Sequence, residues 1–228
     1  MQLQEAIRDQ IENGSLRAGQ RISSERELGQ VYGLSRTTVR EALDALVSCG
    51  LLRTVPGKGT FVAQDKTTYE ALTLAGFREQ ALLAGHLPTT LLLRLEKVLA
   101  PEGMAPQLAI EPDAPVFLLE RLRKVNDLPM ALHVSYIPCA LCPGLSEQQL
   151  NDRPLYRVLE SEYGLVVGHA HETLESTTAR PREALLLDIP VGAPVILLRI
   201  LLYLQDGRPL EYVKGIYRGD RVKLRIEM

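Results

Sequence analysis

Apolar positions recur at helical spacing from the start of the chain. Leu3, Ile7 and Ile11 share one face of a first helix, and Asn13-Gly14 stops it. A second helix is announced by Ser24-Glu25-Arg26-Glu27, the S-x-x-E spacing of a capping box, and runs to Gly33. Ser35 is the N-cap of a third, in which Val39, Ala42, Leu43, Leu46 and Val47 form the apolar stripe and Gly50 ends the element. The pattern then changes to period two: Leu51 to Val55, a Pro56-Gly57-Lys58-Gly59 tip, and Thr60-Phe61-Val62. Three short helices followed by a glycine-tipped hairpin predict a winged helix-turn-helix, with the turn at Gly33 to Ser35.

Residues 64 to 76 are polar at first and show no clear alternation, which predicts a linker. An internal repeat organises the remainder. Leu108-x-Ile110-x-x-x-Ala114-Pro115-Val116-x-Leu118-Leu119 recurs as Leu187-x-Ile189-x-x-x-Ala193-Pro194-Val195-x-Leu197-Leu198. Each copy continues through a strand to a turn, at Asn126-Asp127 and Asp206-Gly207, a nearby proline and a second strand. Asp152 is positioned to cap a helix from Leu155 to Tyr163, and Pro181 suits the first turn of another that reaches Leu187. The expectation is an α+β domain with an antiparallel sheet and helices on one side, each helix covering a hairpin face.

Charge sharpens the first domain. The net charge of −2 carries no sign of a nucleic-acid partner, so the local distribution matters. From Leu16 to Val62 seven Lys or Arg residues stand against four acids, an excess of three positive charges. Arg36, Thr37 and Arg40 project from the N-terminal half of the third helix, away from its stripe, where arginine can bond a guanine edge and threonine a phosphate or a thymine methyl. A wing tip without side chains brings backbone N–H groups to a sugar-phosphate groove, and Lys58 adds charge there.

Charge also distinguishes the two repeats. Arg121 and Arg123 share a strand face with Phe117 and Leu119, while the matching positions in the second copy are Ile200 and Leu202. Positions that are aliphatic in one copy should face inward, and buried arginines call for an anion; surface exposure of the pair is the competing reading. The three cysteines, Cys49, Cys139 and Cys142, suit a reducing cytoplasm. Cys139 and Cys142 form a C-x-x-C with no second pair to complete a zinc site, so packing is the expected role, and neither a metal nor a cofactor is expected. Four histidines, His86, His133, His169 and His171, have no nucleophile or metal set beside them, which argues against an enzyme.

Two sets of motifs carry a resemblance. Ser24-Glu-Arg-Glu-Leu, Leu34-Ser-Arg-Thr-Thr-Val-Arg-Glu-Ala-Leu and Gly57-Lys-Gly-Thr-Phe-Val resemble the DNA-binding domain of the GntR regulators over nearly all of residues 1–63. The resemblance implies contacts with double-stranded operator DNA from Arg26, Ser35, Arg36, Thr37, Thr38, Arg40, Gly57 and Lys58. Ser23, where the family commonly has proline, is a departure at the entry to helix two. Pro129-Met-Ala-Leu, the Tyr156 helix, Glu172-Thr-Leu-Glu, Pro181-Arg-Glu-Ala, Glu211-Tyr and Tyr217-Arg-Gly-Asp-Arg resemble the UTRA effector domain of the HutC-type subfamily, over residues 77–228. That domain is similar to the chorismate-lyase fold but acts as a sensor, so an enzyme of that fold is one alternative and a GntR regulator with an all-helical sensor another.

Within the subfamily the sequence looks most like regulators of amino-sugar use. This implies a phosphosugar site at Thr89, Thr90, Arg121, Arg123, His133, Tyr156, Glu211 and Tyr217. His133 stands where those regulators place a glutamate that meets the sugar, and Pro154 replaces a serine near the phosphate. The implied protein is a cytoplasmic homodimer without a membrane partner: residues 1–63 bind DNA, 64–76 link, and 77–228 sense a small, anionic effector.

Overall fold

Ser24 and Ser35 each close the first turn of a helix. The computed structural model describes residues 2–63, 67–70, 77–83, 85–150 and 153–225. It divides into two compact units, Met1–Thr67 with Gly219–Arg221 and Thr68–Arg218 with Val222–Met228. In the first, α1 (Gln2–Glu12), α2 (Glu25–Tyr32) and α3 (Arg36–Ser48) are followed by the hairpin β1 (Leu52–Val55) and β2 (Gly59–Val62). Both halves of the Ser24–Glu27 capping box form, and Gly33 ends α2 in the left-handed conformation. The Ser35 hydroxyl accepts from the Thr38 N–H at 3.1 Å. At the wing tip the Lys58 N–H donates to the Val55 carbonyl while Gly57 takes φ 72°, the arrangement a Pro-Gly type II turn requires. Leu3, Ile7, Leu28, Val39, Leu46 and Leu52 meet in one core, so α1 and α2 hold α3 by its apolar stripe and leave its polar face outward.

The second unit runs β3 (Thr67–Glu70), α4 (Phe77–Leu83), β4 (Pro88–Leu99), α5 (Met104–Leu108), β5 (Pro115–Val125), β6 (Leu128–Pro138), α6 (Glu147–Leu150), α7 (Leu155–Tyr163), β7 (Val167–Thr178), α8 (Pro181–Leu187), β8 (Pro194–Leu204), β9 (Pro209–Arg218) and β10 (Val222–Arg225). Six strands make one sheet in the order β4-β5-β6-β9-β8-β7, every neighbouring pair antiparallel. The repeat is larger than the sequence reading had it. β4-α5-β5-β6 and β7-α8-β8-β9 are two copies of one unit that meet at the β6–β9 seam. The backbone marks agree: Ala109 and Asp188 close α5 and α8 at φ 50° and 53°, and the Ala100 and Ala179 N–H groups donate to Ala114 and Ala193. Asn126 and Asp127 both have positive φ, as a two-residue hairpin turn demands.

One expectation is corrected. Helices cover both faces of the sheet: α8 packs with Leu122, Leu132 and Ile216 on one, and α7 packs with Phe117, Leu119 and Ile137 on the other. The reason is visible in β5, which is buried at every residue from Val116 to Leu122, and a strand buried on both faces needs cover on both. The segment read as a linker contains the strand β3, which pairs with β10. The proposed cap Asp152 and the rest of that linker lie outside the described residues. Pro154 holds the N-cap position of α7 without a side-chain hydrogen bond.

Candidate functional site

Each unit carries a cluster of arginines organised by a carboxylate. On α3, Arg36, Thr37 and Arg40 are exposed and line an open groove. Glu25, in the first turn of α2, reaches both cations: Arg36 Nε donates to it at 3.0 Å and Arg40 Nη2 at 3.4 Å. The hydrogen bonds from Arg36 and Arg40 hold the Glu25 carboxyl below its ordinary pKa. The sequence reading named the arginines and passed over Glu25, although its place next to the N-cap was a signal that it would stay at the helix end near α3. Ser35 and Thr38 bond each other through their hydroxyls at 2.8 Å, so in this structure both serve the cap. Arg26 on α2 is exposed, as are Gly57 and Lys58 at the wing tip.

The second cluster lies on the sheet face under α4 and α7. Strand register places Arg121 opposite His133, His133 opposite Gly215, Arg123 opposite Ala131 and Ala131 opposite Tyr217, so these side chains share a face. Arg121 is buried, and its Nη2 donates to Ser135 Oγ at 2.8 Å and to Glu211 Oε1 at 3.2 Å. Glu211 is fully buried; its other oxygen accepts from the Tyr156 hydroxyl of α7 at 2.8 Å. Both Glu211 oxygens are thus engaged, one by Arg121 and one by Tyr156. Half-buried Arg123 donates to Thr90 Oγ1 at 2.8 Å, with its guanidinium over the Phe77 ring at 5.6 Å. Burial and the like charge of Arg121 hold the Arg123 pKa well below the guanidinium range.

Neither Arg121 Nε nor Arg123 Nε has a hydrogen-bond partner among the described residues. Of the two cations only Arg121 is bonded to a carboxylate, and both retain buried donors, an arrangement that favours an added anion. His133 is buried and its Nε2 bonds the Tyr217 hydroxyl at 2.8 Å. Burial, then the charges of Arg123 and Arg121, push its pKa well below the ordinary imidazole value, so the ring is neutral. Gly215 makes room for this pair, since a Cβ there would stand 2.7 Å from the Tyr217 ring. Burial also raises the Tyr156 and Tyr217 hydroxyls above the ordinary phenol range, so both stay donors.

One expected residue is not brought to the cluster. Thr89 pairs with Lys124 and so projects from the opposite face, while its neighbour Thr90 pairs with Arg123 and joins the site. Ser135, which the sequence reading missed, is completely buried and holds Arg121. Cys139 and Cys142 are free thiols in the core beside α7, and burial drives Cys142 up to about 12, which leaves it inert. Among the described residues no group of three or more His, Cys, Asp or Glu side chains could hold a metal, and no helix is long and apolar enough to cross a membrane.

Known proteins give the same two-part picture. Residues 1–62 match the family described as bacterial regulatory proteins, gntR family, and residues 83–223 match the UTRA domain. The chain is 36% identical to the HTH-type transcriptional repressor NagR of Bacillus subtilis over 220 residues, 96% of this chain and 90% of that protein. It is 30% identical to the mannosyl-D-glycerate transport/metabolism system repressor MngR of Escherichia coli over 97% of this chain and 92% of the other. The crystal structure of PhnF from Mycobacterium smegmatis superposes with a TM-score of 0.69 at 27% identity, covering all of this chain and 97% of that one. The likeness to these proteins spans both units of the chain. The chain belongs to the GntR family of bacterial transcription regulators, in the HutC-like branch that carries a UTRA effector domain, and is a DNA-binding regulator rather than an enzyme.

Proposed function

We propose that the protein is a cytoplasmic repressor that binds an inverted-repeat operator as a homodimer and responds to a small anionic metabolite, a phosphosugar by class. In this reading residues 1–63 bind DNA, 64–76 link and 77–228 sense. Arg36, Thr37 and Arg40 read the major groove, while Arg26, Ser35, Thr38, Gly57 and Lys58 meet the sugar-phosphate backbone. One winged helix reaches few bases, and a two-fold dimer on an inverted repeat doubles the contacts.

The observation that carries the effector class is the Arg121–Arg123 pair on a covered sheet face, with both Nε atoms unpartnered among the described residues. Tyr217 and Thr90 supply hydroxyls at the same face, His133 supplies a neutral ring, and Glu211 positions Arg121 and Tyr156. Relatives named for mannosyl-D-glycerate and fructoselysine systems favour a sugar derivative. The test is a thermal-shift screen of sugar phosphates, small carboxylates and neutral sugars. A ligand at a hundred times its dissociation constant adds about 2.7 kcal/mol of stability, which a melting curve resolves. Anions should raise the melting temperature and neutral sugars should not; a neutral best hit would contradict the reading.

A further inference from the structure

The arginine cluster occupies only half of its sheet face. Following the strand register across the β6–β9 seam, Ser135 lies opposite Val213, Val213 opposite Ile200, and Ile200 opposite Glu172 on β7. Glu172 therefore projects from the same face as Arg121, Arg123 and Tyr217. It is half-buried, and its Oε2 is buried with no hydrogen-bond partner among the described residues. Burial alone moves its carboxyl up to about 7. The neighbours on this face are apolar, with Ile200 directly across and Leu198 and Ile196 farther along β8. A β-branched residue would satisfy the sheet better than an acid with an orphaned oxygen, so stability gives no reason for Glu172.

We infer that Glu172 is a second pole of the effector site, where its carboxyl accepts from an amine or hydroxyl at the end of the ligand remote from the anionic group held by Arg121 and Arg123. This rests on the anion-site reading above and adds the ligand's other end. Four strand spacings separate β5 from β7, so the two backbones stand roughly 19 Å apart along the sheet. Arg121 leans into that span, since it bonds Ser135 on β6 and Glu211 on β9. That lean shortens the span toward the reach of a small metabolite, and the strands between β5 and β7 on this face include β6, which carries His133, and β9, which carries Tyr217. A ligand amine would also draw Glu172 back to its ionised form, which makes the contact charge-assisted.

The experiment is calorimetric titration of the full chain at pH 7 with inorganic phosphate, glucose 6-phosphate and glucosamine 6-phosphate, using wild type, Glu172→Gln and Arg123→Met. Wild type should hold at least one sugar phosphate more tightly than phosphate. Glu172→Gln should lose tenfold or more for that sugar phosphate while its phosphate affinity stays within twofold, and it should melt no lower than wild type. A larger loss for the amine identifies an ammonium partner; equal losses for the two sugars identify a hydroxyl. If Arg123→Met abolishes phosphate binding but Glu172→Gln binds every probe as wild type does, Glu172 is not a pole and the anion site stands. If wild type binds none of the probes, or Arg123→Met binds phosphate unchanged, the anion-site reading fails and the inference with it.

Discussion

Among the carboxylates that hold arginines in this protein, Glu25 and Glu211 have surroundings that give them opposite uses. Glu25 bonds Arg36 and Arg40 in the open, where the two arginine side chains are 77% and 59% exposed. Glu211 bonds Arg121 where the side chains are 7% and 0% exposed. An exposed pair contributes about 0–1 kcal/mol and weakens with salt, so a phosphate or a guanine edge can replace Glu25 at little cost. A buried pair is expensive to break because it leaves an uncompensated charge behind. The first pair suits arginines that must change partner on meeting DNA. The second suits a fixed wall, which leaves Arg123, bonded to a threonine hydroxyl, as the cation free to be recruited.

The comparison breaks most visibly by deleting the buried arginine. Arg121→Ala should destabilise the effector unit by about 3–5 kcal/mol, because Glu211 then keeps a buried charge with no cation on it. Replacing both partners at once, with Arg121→Met and Glu211→Leu, should recover most of that loss; urea denaturation of wild type and the two variants checks it. Arg40→Ala should leave stability nearly unchanged and cost about 1–3 kcal/mol of operator affinity per half-site, read by gel-shift titration with melting temperatures as the control. Unchanged operator affinity would remove α3 from its recognition role.

Smaller effects sharpen the contrast. Below pH 4.5 the Glu172 carboxyl is protonated in both folded and unfolded chains; as pH rises toward about 7 the unfolded chain ionises first. Wild type should therefore lose stability relative to Glu172→Gln across that window and level off above it, by about 1 kcal/mol once partial exposure is discounted. Melting curves from pH 4 to 8 give the difference. Lys58→Ala should reduce the slope of log affinity against log salt by about one unit, the share of a single phosphate contact.

Local signals carried the first unit into view. Ser24, Ser35, Gly33 and Pro56-Gly57 each fix their own neighbourhood within a few residues, and the structure places a cap or turn at every one. The second unit was legible where its repeat wrote the same turn chemistry twice. What escaped notice depends on partners distant in sequence. β3 has no alternation of its own and is ordered by β10, which lies some 150 residues later. Thr89 and Thr90 are indistinguishable until the register with β5 puts one on each face. Arg121 could be read as inward-facing, but its pairing with Glu211 spans 90 residues and two strand crossings, so the anion it calls for was sought only in a ligand. The apolar run from Val116 to Leu119 hinted at cover on both faces, but Glu120 and Arg121 interrupt it, and their burial rests on partners in other strands and helices.

The central claim is that an anion arriving at Arg123 changes how the chain holds DNA, two sites linked by a coupling free energy. The direct measurement uses an operator selected from a random duplex pool and fluorescence anisotropy at fixed ionic strength, with the best anion from the thermal screen titrated into wild type and Arg123→Met complexes. The account predicts that the anion shifts wild-type operator affinity by fivefold or more, and that Arg123→Met binds the operator normally and ignores the anion. An equal response in both proteins, or none in wild type, would contradict it.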